Sequence, residues 1–456
     1  MPTAYPSWGN YPAADQTAVV PGWRHDALPV TDKSLLPRGN GRSYGDSCLN
    51  DQGLLIDATG LDRFISFDPQ TGLLECEAGV LLADILRLVE PHGWFLPVTP
   101  GTRFVTLGGA VANDVHGRNH HRRGTFGCHV LGLELVRSDS GTQWLSAADG
   151  SGLFRATIGG LGLTGFITRV RLRLMKVASL DVLEEVMPFE TLDAYFNRAE
   201  EVDWRNEYSV AWLDQAAAHG KTRGVLVTGN HAGNGRFESG RHTPRLGVPF
   251  DLPFNAFNPA SVKALNAALH FSMKRRAGRE TVRDYSRFFY PLDGIGNWNR
   301  LCGPKGLFQH QSVLPFETAR KAVPALLAAS REAGEASFLT VLKRFGDIVS
   351  PGLMSFPMPG YTLTLNFANS GGSTRALLEE LDRITVAAGG RINPSKDARM
   401  SAAAFSASFP HWRVLENLRD PAICSDFWRR TALSVEKGSD ADNSNDPPQT
   451  ALKAAN

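Results

Sequence analysis

Two stretches carry residue types whose spacing could hold a charged cofactor. The first is Pro37-Arg-Gly-Asn-Gly-Arg-Ser-Tyr-Gly-Asp46. The second runs from Pro97-Val-Thr-Pro-Gly-Thr102 through Thr106-Leu-Gly-Gly-Ala-Val-Ala-Asn-Asp-Val-His116-Gly-Arg-Asn-His-His121. Glycine has no Cβ and reaches positive φ, so backbone at these points can approach a ligand closely. Successive N–H groups in such bends form concavities that bind anions. Joined by a strand and a helix, the two loops are expected to cradle a diphosphate between the amides of Gly39 to Ser43 and those of Thr102 to Ala110.

Three tempting motifs do not fit. Gly160-Leu-Gly-Leu-Thr-Gly165 has the letters of a dinucleotide fingerprint, but that motif needs a following helix to meet the pyrophosphate. The next residues alternate as a strand, so a turn is expected, one that either touches a cofactor or only shapes the chain. Gly39 to Gly45 lacks the Gly-Lys-Ser/Thr ending of a phosphate-transfer loop. His116-Gly-Arg-Asn-His-His121 has no Glu after its first His and a glycine where a zinc helix would run, so no metal is expected.

The elements that must position these loops follow from periodicity. Leu54–Asp57, Leu73–Glu77, Val130–Val136 and Phe166–Leu174 read as strands, and Val80–Glu90 as a helix stopped by Pro91 and Gly93. Further on, helices are expected at Leu192–Val202, Ser261–Lys274, Thr318–Ala333 and Thr374–Ala388. Strands are expected at Tyr208–Leu213, Gly224–Thr228, Leu307–Leu314, Ser337–Arg344 and Tyr361–Phe367. The chain is α+β, with a second unit built as one sheet covered by helices.

Composition narrows the function. With 456 residues, two cores are the default. A chain 42% apolar and 21% charged, with net charge +2, is not that of a nucleic-acid binder. Five scattered cysteines form no CxxC and suit reduced thiols in a cytoplasmic protein. No signal peptide and no membrane-spanning run is read.

In order and spacing these segments resemble the FAD-binding module of the vanillyl-alcohol oxidase superfamily, and within it the decaprenylphosphoryl-β-D-ribose 2'-oxidase family. The likeness continues through Tyr290-Pro-Leu-Asp293, Trp298-Asn-Arg300, Phe308-Gln-His-Gln311, Leu342-Lys-Arg-Phe-Gly346, Ser355-Phe-Pro-Met-Pro-Gly360 and Ser395-Lys-Asp-Ala-Arg399. It implies an FAD-binding domain over 1–178 and an inserted substrate domain over 179–389, one antiparallel sheet covered by helices. Residues 390–435 then return to the FAD domain, and the polar tail 436–456 is expected to be disordered.

By the same resemblance, the first FAD contacts are Arg38, Gly39, Asn40, Gly41, Arg42, Ser43 and Tyr44. Pro100, Gly101, Thr102, Thr106, Gly108, Gly109, Ala110, Asn113 and Asp114 follow. His116, Gly117, Asn119, Gly160, Gly162, Gly165 and Ile167 complete the set. Many superfamily members attach the flavin through a histidine where Arg42 stands, so non-covalent FAD is expected here. The implied reaction takes a hydride from a sugar carbon and turns a secondary alcohol into a ketone. Lys396 and His116 are the expected polar pair at that carbon, with Tyr44, Arg118, Gln309, Gln311, Lys343 and Thr364 binding substrate.

The implied substrate is a polyprenyl-phosphate-linked pentose oxidised at its 2'-OH. A separate short-chain-type NAD(P)H reductase would complete an epimerisation that serves cell-envelope polysaccharide synthesis. Oxidation of a free sugar, alditol or sugar lactone, and a non-catalytic flavin-binding partner of the reductase, are the alternatives. Mycobacterial members carry Cys where Thr364 stands and Lys where Arg118 stands, so no reactive thiol is expected at that position. Residues 229–276 set Phe250, Leu252, Phe254 and Phe257 among Arg236, Arg241, Arg245, Lys263 and Lys274-Arg-Arg276. That pattern fits either a lid or a peripheral contact with anionic membrane on its inner face.

Overall fold

The computed structural model describes residues 5–215, 222–238, 246–335 and 337–436. Arg241, Arg245 and the tail beyond Glu436 lie outside the described residues. Three sheets carry the architecture, with two short two-stranded ribbons beside them. The smallest is parallel: Leu54–Asp57 runs between Thr17–Val19 and Leu35–Arg38. Its strand Leu35–Arg38 opens directly into the bend at Gly39, at the carboxyl ends of parallel strands, where ligands of such sheets bind.

The second sheet is antiparallel, in the order Phe64–Asp68, Leu73–Glu77, Phe166–Arg173, Val130–Arg137 and Gly141–Leu145. Helix Leu82–Val89 buries Leu82, Ile85, Leu86 and Val89 in the core beneath it, the 3.6-residue spacing of one face. The glycine-rich run forms a helix of its own, Leu107–Ala112, capped by Thr106 Oγ1, which accepts from Gly109 N at 3.2 Å. Gly108 N donates to Ala78 O at 2.7 Å, and a Cβ on Gly108 would stand 2.9 Å from Ala78 Cβ. Glycine there lets the helix lie against the strand end.

The largest sheet has eight antiparallel strands. Their order is Glu280–Arg283, Val182–Phe189, Gly224–His231, Tyr208–Leu213, Thr340–Phe345, Gly360–Ala368, Leu307–Leu314 and Arg391–Ile392. Strand alternation sends side chains to two faces. Leu226, Leu342, Leu363, Leu365 and Phe308 face helices Leu192–Val202, Phe316–Glu332 and Gly372–Ala387 in one core. The opposite face presents Val210, Trp212, Val227, Val341, Lys343, Thr364, Asn366, Gln309 and Gln311 to a cavity.

Several strands escape sequence periodicity, among them Leu35–Arg38, Phe64–Asp68, Gly141–Leu145 and the two-residue Arg391–Ile392. In the large sheet, Val182–Phe189 contains adjacent Glu184 and Glu185 and then Pro188, and Glu280–Arg283 is four residues long and half charged. The strand expected at 337–344 begins three residues later, at Thr340, after Ser337 turns its hydroxyl to Leu339 O. The helix expected at Ser261 starts at Pro259, with Asn258 capping Ala260 N and Ser261 N.

The carboxyl-terminal segment joins the sheets. Arg391–Ile392 pairs with Leu307–Leu314, Ile423 bridges Leu35, and helix Asp426–Arg430 packs on Asp46–Cys48. Arg430 ion-pairs with both Asp46 and Asp397, each at 2.8 Å. No helix among the described residues is long and apolar enough to cross a membrane.

Candidate active site

A cavity of about 1200 Å³ lies between the two glycine loops and the polar face of the large sheet. Arg38, Gly39, Asn40, Gly41, Arg42, Ser43 and Tyr44 line it from one loop. Pro100, Gly101, Thr102, Thr106, Gly108, Gly109, Asn113, Asp114, His116, Gly117 and Arg118 line it from the other, and Gly162 and Ile167 from the turn and strand beyond. Four positions expected at the cofactor lie behind this wall instead. Ala110 is fully buried, and Asn119 is buried, donating to Pro97 O at 2.8 Å and Glu207 Oε1 at 3.0 Å. Gly160 folds onto Ala156 backbone, and Gly165 lets the chain pass beneath Leu135. Spacing alone does not separate wall from support.

The first loop is built for an anion. Gly41 has φ +59°, and Asn40 Nδ2 donates to Phe104 O at 2.8 Å, tying the two loops together. Among the described residues, the amides of Asn40, Gly41, Arg42 and Ser43 donate to no protein acceptor. Four such N–H groups beside Arg38 and Arg42, on a cavity wall, fit a diphosphate and need a ligand to satisfy them. A Cβ at Gly101 would meet nothing, so the opposite loop leaves open space. The residues present fit FAD. Arg42 lays its guanidinium over Trp8 at 4.2 Å, and burial lowers its pKa while Asp293 opposes the shift.

The polar residues of the large sheet converge beyond this cradle. Cross-strand pairing sets Thr364 beside Gln311 and Val341, and sets Asn366 beside Gln309, with Gln309 Nε2 donating to Asn366 Oδ1 at 2.6 Å. Asn393 Nδ2 donates to Gln311 Oε1 at 2.9 Å, which turns Gln311 Nε2 toward His116 Nε2 at 3.0 Å. His116 Nε2 is therefore the acceptor, and the proton of the neutral ring sits on Nδ1. Lys343 Nζ stands 3.4 Å from that Nδ1. Two N–H donors cannot share this contact, so the pair closes only when Lys343 is an uncharged amine.

Electrostatics agree. Burial, with Arg118 and Lys396 nearby, draws Lys343 down to about 7, and burial draws Lys396 down to about 8. Burial and the same lysines hold His116 well below the ordinary histidine value, so it is neutral. Lys396 Nζ lies 4.4 Å over the Tyr44 ring, and Tyr44 N donates to Ser395 O at 2.9 Å, fixing the segment that carries the amine. Neighbouring Asp397 is taken by Arg430, and among the described residues Lys396 has no ion pair. Burial raises the Tyr44 hydroxyl far above its usual range.

The other histidines of the run diverge. His120 Nδ1 accepts from Gly346 N at 3.2 Å, and His121 Nε2 stands 3.0 Å from Asn206 O. Asn393, which orients Gln311, escapes sequence reasoning although it stands three residues before Lys396, because an amide's role is set by what it faces. Phe345 and Phe356, packed on His116, are likewise visible only in the fold.

Comparison with known proteins agrees with this geometry. The FAD binding domain family matches residues 28–146. The decaprenylphosphoryl-beta-D-ribose oxidase of Mycolicibacterium smegmatis is 34% identical over 420 residues, 88% of this chain and 90% of that protein. D-lactate dehydrogenase of Anaerostipes hadrus is 27% identical over 146 residues, covering 31% of this chain and 30% of its own length. L-gulonolactone oxidase of Mus musculus is 26% identical over 175 residues, 37% of this chain and 39% of that enzyme. These two shorter matches cover about a third of the chain, whereas the mycobacterial likeness covers nearly all of it. The chain belongs to the decaprenylphosphoryl-β-D-ribose oxidase family and is an FAD-dependent oxidoreductase.

Proposed function

We propose that the protein oxidises the 2'-hydroxyl of a polyprenyl-phosphate-linked pentose to the 2'-keto sugar. The observation that carries this is the convergence of Lys396, Lys343 and His116, from three separate elements, on one cavity beside an anion cradle. Bound FAD supplies the hydride acceptor. The chain's own residues orient the sugar and move the hydroxyl proton. Uncharged Lys396, with its amine near 8, accepts that proton, and His116, with both ring nitrogens engaged by Gln311 and Lys343, orients those two side chains toward the reacting oxygen. Gln309 and Asn366 bind the ring hydroxyls.

In this reading residues 1–178 and 390–435 hold FAD without a covalent bond, and 179–389 form the substrate domain. A separate NAD(P)H reductase consumes the keto product. Phe250 and Phe254, 63% and 61% exposed, support a peripheral membrane contact, whereas Phe257 stacks on Phe338 at 4.2 Å and belongs to the cavity wall. Anaerobic mixing with a lipid-phosphate pentose should bleach the flavin, while free pentoses, alditols and sugar lactones should not. Bleaching by the soluble sugars alone would replace the substrate class. Bleaching by none would leave a flavin-binding partner without turnover.

A further inference from the structure

From the end of the second glycine loop outward, the cavity wall gathers positive charge that the proposed proton transfer does not use. Arg276 ion-pairs with Glu184 Oε1, and Arg283 Nε stands 3.7 Å from the same oxygen. Arg118 and Arg287 line the cavity beside them, and among the described residues neither has a carboxylate within ion-pair distance. Four guanidiniums thus share one carboxylate. Crowding like charges round a single carboxylate on a cavity wall is costly unless an anion joins them, so the arrangement fits a site that receives one.

Arg118 forms the corner of this group. It follows His116 by two residues, stacks on Phe288 at 4.9 Å, and is drawn down to about 10 by burial while Glu184 opposes the shift. It also lowers Lys343, so it feels both the reacting centre and the arginine group. Beyond the arginines, helix Pro259–Lys274 turns Leu265, Leu269 and Met273 to the cavity, and Leu265 is 47% exposed at the outer end. Charge near the reacting carbon therefore gives way to an apolar strip that leads outward.

We infer that Arg118, Arg276, Arg283 and Arg287, gathered round Glu184, form a subsite for a phosphate ester that carries an apolar chain. The inference rests on the reading above for its substrate class and assigns the lipid-phosphate end to these side chains. In a 1'-phosphoryl pentose only C1' and one oxygen separate the oxidised carbon from the phosphorus. A phosphate at Arg118 then places C2' toward His116 and Lys343. Arginine's planar fork matches phosphate oxygens two at a time, which a lysine cannot do. The arginines select the charged end, and the helix face takes the first prenyl units.

The test is calorimetric titration of flavin-loaded protein with geranyl monophosphate, geraniol and inorganic phosphate. Geranyl phosphate should bind at least about tenfold more tightly than either of the others, and more weakly as salt rises. The double variant R276Q/R283Q and the single variant R287Q should each lose about tenfold or more, the scale of a charge-assisted contact. Arg287 is exposed on the short helix Tyr285–Phe289, so R287Q retains the fold even where the double variant does not. Equal affinity of the variants and the wild type, no binding of geranyl phosphate, or inorganic phosphate binding as tightly would each overturn the subsite. Arginine-dependent binding without flavin bleaching by any lipid-phosphate pentose would keep the subsite and remove the reaction. Bleaching that is indifferent to R287Q and R276Q/R283Q would do the reverse.

Discussion

Replacing Lys343 with Met should stabilise the flavin-free protein at neutral pH. Burial draws the Lys343 amine from 10.5 to about 7, a shift equivalent to about 5 kcal/mol. The amine faces a cavity that water enters, and screening there leaves about 2 kcal/mol as the expected gain. The sign follows from proton binding. Between the folded and unfolded pKa values the unfolded chain holds a proton that the folded chain does not, so falling pH favours unfolding. The penalty is complete below about 7, shrinks as pH rises, and vanishes near the unfolded value of 10.5. Methionine has no proton to lose and fills a similar volume. Thermal melts should show the variant roughly 4 °C above wild type at pH 7, with the gap closing by about pH 10. A variant that melts at or below the wild-type temperature at pH 7, or a gap independent of pH, would refute the reasoning. The same variant should lose turnover, since the His116 tautomer loses one of its two anchors.

Lys396→Ala should keep FAD bound but slow its reduction by substrate about 10²- to 10⁴-fold, the range of a lost proton-transfer group, as stopped-flow absorbance will show. In wild type, the pH profile of that reduction should rise through about 8 as Lys396 loses its proton. Acid precipitation should leave the yellow colour in the supernatant, because Arg42 cannot form the covalent link a histidine makes. Arg430→Met strands buried Asp46 and leaves buried Asp397 only the more distant Arg399 at 3.8 Å, and should cost about 3–5 kcal/mol, read as a fall in melting temperature. Mass spectrometry should find no adduct at position 364 after treatment with a thiol-reactive electrophile, while Thr364→Cys should gain one. Cys48, which also lines the cavity, stays inert because burial pushes its thiol up to about 11.

The glycine loops are legible in sequence because their work is done by backbone, and glycine, serine and threonine announce where backbone is exposed. Gly160 to Gly165 is also correctly separated from a helix-opening fingerprint, since strand Phe166–Arg173 follows it directly. The alternation of Gln309, Gln311, Lys343, Thr364 and Asn366 shows that they share faces of strands, but not that those strands are neighbours in one sheet. Strand Val182–Phe189 hides because Glu184 is paid for by arginines about 90 residues later, which local periodicity does not see. The direction of the Gln311 amide is less legible still. It depends on Asn393, 82 positions away in the chain, whose own oxygen is held by Ser395.

Lys396 rides on the crossing that leaves the large sheet at Ile392 and is clamped at Asp397 by Arg430. During synthesis, both glycine bends emerge from the ribosome long before this amine does. A chain cut short ahead of residue 391 would lose Lys396 and the clamp, and with them the side chains of Ile423, Phe427 and Trp428 that share a core with Leu35, Leu36 and Ile56 beneath the first bend. Chain order therefore leaves the first glycine bend without its supporting core until the carboxyl-terminal segment has been made.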